Sequence, residues 1–170
     1  MRTIVVKDAN ILIDCITIEV LQAVLSLDYA FMTTDLVFEE ITEPHQREAV
    51  ESVVKSKLLR IVPLAPEELL LVEEKTNKHK RLSLEDCSIL YLCEREQAIA
   101  LTGDAALRKV MSRHQIEVHG MLWLLDELLA LNILSESVAC SKLRLLQSLN
   151  VRLPQLEMNK RIRAWCKDTP

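Results

Sequence analysis

Short runs of β-branched and apolar residues recur along the chain at 3–7, 29–33, 59–62, 98–102 and 116–118, each the length of one buried strand. Between them lie longer stretches whose apolar residues return at helical spacing. These predict helices over 11–26, 35–43, 44–56, 66–77, 83–96, 105–113 and 121–131. Pro44 and Pro66 suit first helical turns, and Ser83 and Ser135 suit N-caps. Strand alternating with helix predicts an α/β fold of three layers, a central mostly parallel sheet flanked by helices. After Leu131 the pattern is wholly helical, first over 136–149 and then, past a break at Arg152-Leu153-Pro154, over 155–166. A segment of about 40 residues rarely holds a core of its own. Residues 1–131 are therefore expected to form the α/β domain and 132–170 a C-terminal helical extension of that domain.

Composition narrows the function. A chain of 170 residues with 49% hydrophobic and 27% charged positions suits one globular domain. Only two glycines are present, which argues against phosphate-cradling loops. The opening apolar run is too short for a signal peptide, and no apolar stretch approaches the roughly 20 residues of a membrane helix. Cys15, Cys87, Cys93, Cys140 and Cys166 form no C-x-x-C pair, and their odd number predicts reduced thiols in a cytoplasmic protein. The net charge of −4 is unevenly spread. Lys142, Arg144, Arg152, Lys160, Arg161, Arg163 and Lys167 outnumber Glu157 and Asp168 beyond residue 140, so the body is strongly acidic. An acidic body with a basic tail suits a cation-binding pocket beside a surface for phosphates, although each basic residue also suits a solvated helix.

Four acids carry the candidate chemistry. Asp8 follows the apolar run Ile4-Val5-Val6, and Asp104 follows Ile99-Ala100-Leu101-Thr102-Gly103. In an open parallel sheet, ligands gather outside the carboxyl ends of the strands, where both acids belong. Glu40 and Asp86 lie on amphipathic helical stretches; Asp86 reaches that edge only if the chain folds back. Each acid also has a structural reading. Asp104 suits a helix N-cap, Asp86 suits first-turn charge against the helix dipole, and Glu40 suits a solvated position. Asp8 is hardest to explain that way, because an ionised acid after a buried strand is costly without a partner.

These residues give the chain a resemblance to PIN-domain ribonucleases, particularly the small prokaryotic VapC-like toxins of toxin–antitoxin pairs. The strand-end run Val5-Val6-Lys7-Asp8-Ala9-Asn10 and the following apolar helix resemble that family's opening. Glu40-Ile41, Asp86 ahead of Ile89-Leu90, and Thr102-Gly103-Asp104 are similar to its later motifs, in the same order. The segment 116–126 resembles its closing strand and final helix, so the resemblance covers 1–131. It implies a PIN-like fold and hydrolysis of RNA phosphodiesters by water. The expected metal ligands are Asp8, Asp86 and Asp104, with Glu40 a fourth ligand or the group that positions the water. Glu39 and Glu85 compete with their neighbours, since adjacent helical residues point about 100° apart. Asn10 and Thr102 are expected to support the carboxylates or a phosphate.

Oxygen-only ligands select Mg²⁺ or Mn²⁺ over zinc. Lys75, Lys78, Lys80 and Arg81 form a basic run ahead of Asp86 that suits RNA phosphates, or a solvated loop. His45, His79, His114 and His119 lack metal spacing and are expected to be solvated; Trp123 and Trp165 suit helix packing. An RNA substrate, a cognate antitoxin and a homodimer are the implied partners, with no membrane. A non-catalytic PIN-fold module binding RNA or protein is the rival in another class. A haloacid-dehalogenase-like phosphatase would place a second acid where Asn10 stands, and a Rossmann enzyme would show Gly-x-Gly after the first strand.

Overall fold

A computed structural model of the protein describes residues 2–6, 9–149 and 153–166, Val5 by its backbone alone. Five strands, β1 (Arg2–Val6), β2 (Tyr29–Thr34), β3 (Leu59–Val62), β4 (Ile99–Leu101) and β5 (Val118–His119), form one sheet in the order β3-β2-β1-β4-β5. Every pairing is parallel, with Ile4 opposite both Phe31 and Ile99. Side chains alternate across a strand, so one sheet must be covered twice. Ile4, Val6, Phe31, Leu59, Ile99 and Leu101 enter one buried cluster, whereas Met32, Val62 and Ala100 enter another.

The first face is covered by α1 (Ala9–Thr17), α2 (Leu21–Leu25), α4 (Pro44–Lys55) and α8 (Met121–Ala130), and by α9 (Glu136–Leu149) and α10 (Gln155–Trp165). The second carries α5 (Pro66–Lys78), α6 (Leu84–Glu96) and α7 (Ala105–Arg113), while the short α3 (Asp35–Glu39) follows β2. The three-layer α/β architecture is thus the one the pattern predicts. Leu143, Leu146 and Met158 belong to the same buried cluster as Ile4, so the C-terminal helices share the sheet's core.

Three expectations are corrected. Residues 11–26 do not form one helix, because the chain turns left-handed at Glu19, φ 58°. The Val20 and Glu19 amides then bond back to Cys15 and Ile16, an αL helix ending. The helix expected over 35–43 stops at Glu39, with Glu43 capping α4 instead. Finally, Cys140 and Cys166 are joined by a disulfide, because α9 and α10 turn back on each other and bring their Cα atoms to 5.3 Å. Cys15, Cys87 and Cys93 are free and buried, and burial raises the pKa of each.

Lys57, Gln97, Gln115 and Asn132 repeat the ending seen at Glu19. A chain with two glycines has filled these positions with residues that pay a steric penalty at positive φ. Gln97→Gly is expected to stabilise the fold by up to ~1 kcal/mol, raising Tm by ~2–4 °C in thermal unfolding. An unchanged or lower Tm would mean that the glutamine side chain offsets the backbone strain.

Candidate functional site

The strand order fixes where a cleft can form. From β1 the chain moves outward to β2 and β3, then crosses back to place β4 on the other side of β1. The order reverses between β1 and β4, and at such a reversal the crossover helices diverge to open a crevice at the carboxyl edge. Strands lie about 4.8 Å apart, so the ends of β2, β1 and β4 fall within roughly 10 Å.

Buried hydroxyls bind this edge together. Thr33 donates to the carbonyl of Val6, the last residue of β1 (2.7 Å). Thr34 caps α3 through the Val37 amide, and its hydroxyl meets Ser88 of α6 at 2.9 Å. All of Thr33, Thr34, Ser88 and Thr102 are fully buried. The Thr34–Ser88 bond draws the start of α6 to the end of β2, which supplies the fold-back that Asp86 requires. The sequence marks these hydroxyls only as Thr-Thr-Asp at a strand end.

Asp86 is buried in the first turn of α6, and its Oδ2 accepts the Ser83 amide (2.9 Å) while Ser83 Oγ accepts the Asp86 amide (3.1 Å). This reciprocal pair is a capping box. Asp104, half-buried, is the N-cap of α7: Oδ1 accepts the Leu107 amide (2.7 Å), and the Asp104 amide donates to Thr102 Oγ1 (3.0 Å). Asp104 thus caps α7 and Asp86 completes the capping box of α6, at helix N-termini whose dipoles favour negative charge. Each capping bond uses one oxygen of a carboxylate that carries two, so a cap can also be a ligand.

The other candidates are less concentrated. Asp8 lies outside the described residues, between Val6 at the end of β1 and Ala9 at the start of α1. Glu40 is exposed at the C-cap of α3, and Asn10 is exposed in the first turn of α1. Glu39 is engaged with Arg47 (3.0 Å), and Glu85 is half-buried beside the buried Asp86. Among the described residues, no three His, Cys, Asp or Glu side chains form a group that could hold a metal ion. Asp86, Asp104 and Thr102 come to one edge; Glu40 does not join them in such a group.

The donors at that edge are oxygens, which suits a hard divalent cation. Cys87, next to Asp86, is buried in the core with its pKa raised by burial, then by the Asp86 charge, and offers no thiolate.

The basic residues divide. Lys75 is paired with Glu94 (2.5 Å), eight residues along α6 from Asp86 and hence about 12 Å down its axis. Lys78, Lys80 and Arg81 are exposed. In the C-terminal helices Lys142 pairs with Glu19, Lys160 with Glu157 and Arg161 with Asp126, so three of the five described basic residues of this segment are engaged within the fold; Arg152 and Lys167 lie outside the described residues. The histidines are more engaged than expected. His114 pairs with Glu94 (2.8 Å), His79 packs against the His114 ring, and His119 stacks on Trp123 at 4.1 Å. Burial, then the neighbouring His114, hold the His79 pKa below its ordinary value.

The PIN-domain family model matches residues 4–167. The chain belongs to the PIN-domain family. PIN domains are generally nucleases and typically use divalent metals. No curated protein matches the chain. No helix among the described residues is long and apolar enough to cross a membrane.

Proposed function

We propose that this PIN domain is a divalent-metal-dependent endoribonuclease that hydrolyses RNA phosphodiester bonds at the carboxyl edge of its sheet. The observation that carries the reading is the pair of acids Asp86 and Asp104, each held rigid by a cap, on helices that start beside the reversal of strand order. Asp8 follows β1 in the sequence, and β1 is the strand that pairs with β4 ahead of Asp104. Asp8, Asp86 and Asp104 are the proposed Mg²⁺ or Mn²⁺ ligands, with Glu40 a fourth ligand or the residue that orients the attacking water.

When bound, the metal supplies an acidified water and stabilises the leaving oxygen of an in-line displacement at phosphorus. The chain's own residues do the positioning. Capping locks the carboxylate orientations, Thr102 holds the turn that aims Asp104, and Asn10 stands in the first turn of α1. Lys78, Lys80 and Arg81 offer exposed charge to the RNA backbone.

The toxin role, a cognate antitoxin and a homodimer extend the proposal on the strength of the sequence resemblance; a cytoplasmic location is a further proposal, made from the cysteine pattern and the short apolar runs of the sequence. Leu131, Ile133, Val138, Leu145, Leu149 and Leu156 are exposed at the end of α8 and on the C-terminal helical segment, where a protein partner would find apolar side chains to contact. A second reading, a non-catalytic module, draws support from the caps, which give Asp86 and Asp104 a structural use without metal.

The test incubates a panel of RNAs with wild type and Asp8→Asn, each with Mg²⁺, Mn²⁺ or chelator. Cleavage by wild type that needs metal and is lost on substitution is the expected result. Cleavage that survives both changes would defeat the mechanism, and RNA binding without cleavage would favour the module.

A further inference from the structure

Arg108 stands one helical turn beyond Asp104, and its Nη1 donates to two backbone carbonyls, Thr102 at 2.8 Å and His119 at 3.2 Å. These carbonyls mark the exits of β4 and β5, so the guanidinium is strapped to the same edge as the acids. Among the described residues it forms no ion pair, in contrast to Arg47, Arg95 and Arg161, which are matched with carboxylates. Gly120 lies beside it, with room for no more than an ordinary contact between a Cβ there and Nη1 (3.6 Å), and Arg108 is exposed to solvent.

We infer that Arg108 is a phosphate-binding residue of the RNA site, its anchored guanidinium contacting the backbone of the strand that lies across the acidic edge. This rests on the nuclease reading above. A guanidinium has five N–H donors in a planar fork, and Nη1 alone makes both carbonyl bonds. The remaining donors are thereby held in a fixed plane, the arrangement that suits two parallel bonds to a phosphate. A fixed cation is also what this edge requires electrostatically. RNA approaching Asp86 and Asp104 meets like charge, and a cation bonded to carbonyls keeps its charge available where one paired with a carboxylate would not. The anchoring carbonyls carry no side-chain signal, which is why the sequence did not mark this residue.

The purely structural alternative is a strap that only ties α7 to the ends of β4 and β5. The two are separated by measuring binding of a short fluorescein-labelled single-stranded RNA of mixed sequence to wild type, Arg108→Gln and Arg108→Lys. Ca²⁺ replaces Mg²⁺ to hold back cleavage, and salt is varied. A phosphate contact predicts that Arg108→Gln binds about tenfold more weakly at moderate salt, with the slope of log K against log salt shallower by about 0.7. Arg108→Lys keeps the charge and so keeps most of the slope, while losing affinity to its freer geometry. A strap predicts wild-type slopes for both variants with a lowered Tm, and that outcome overturns the assignment. If wild type cleaves RNA in Mg²⁺ yet all three proteins share one slope, Arg108 alone is refuted. If wild type neither binds nor cleaves RNA, the nuclease reading falls with it.

Discussion

Asp104→Asn is expected to leave α7 capped and to reduce metal-dependent RNA cleavage by a factor on the order of a hundred or more, since even groups that merely support metal ligands are worth ten to a hundredfold. The substitution separates two roles that share one side chain. Asn and Asp are nearly equal as N-caps, because either side-chain oxygen accepts the N3 amide, here that of Leu107. Only the charge is lost, and with it the affinity for a hard cation. Asp104→Ala removes both and should also cost ~1 kcal/mol of stability, lowering Tm by ~2–4 °C. Rates with Mn²⁺ and thermal unfolding of the two variants give the comparison. Loss of cleavage in both with a lowered Tm only in the alanine variant supports ligation. If Asp104→Asn cleaves at the wild-type rate, Asp104 is a cap and nothing more. Asp86→Asn is a less clean probe, because that side chain is buried and its amide would have to satisfy the Ser83 bond in a crowded turn.

The layers were legible because parallel strands covered on both faces read as short, dense apolar runs, and because α7 and α9 begin and end where their local signals say. Other features rest on partners far apart in sequence. Glu19 ends α1 in a conformation usually signalled by glycine, and a glutamate there looks like helix interior. The Thr34–Ser88 bond joins positions 54 residues apart, so nothing local announces that Asp86 will be drawn to the end of β2. The odd cysteine count argued for free thiols, but parity says nothing about two cysteines that a helical hairpin brings together. At the site, Asp104 could be read from sequence as N-cap or ligand and Asp86 as first-turn charge or ligand; Asp104 does cap α7, and Asp86 closes a capping box with Ser83. Under the proposed function the caps would help to prepare the site, since a carboxylate already held by an amide loses less freedom on meeting a cation.

Reducing the Cys140–Cys166 disulfide is expected to lower Tm by on the order of 10 °C while leaving α9 and α10 docked. The bond closes a loop between cysteines 26 positions apart, and the chain-entropy model assigns such a cross-link ~3.5 kcal/mol through its effect on the unfolded chain. Docking has an independent source. Leu143, Leu146 and Met158 are fully buried against the first face of the sheet, and burying three such side chains is worth ~5–9 kcal/mol. Arg161 adds a two-pronged pair to Asp126 of α8, at 2.9 and 2.6 Å. Burial therefore outweighs the cross-link, and Leu146→Ala, at ~2–5 kcal/mol, should rival reduction in its cost. Melting curves with and without dithiothreitol, on wild type, Cys140→Ser and Leu146→Ala, measure both effects, and limited proteolysis reports whether the hairpin lifts. Only Leu146→Ala under reducing conditions should expose α9 to protease. Release of the hairpin by reduction alone would make the covalent bond its main attachment, and a Tm indifferent to dithiothreitol would show that the two sulfurs are not joined in solution.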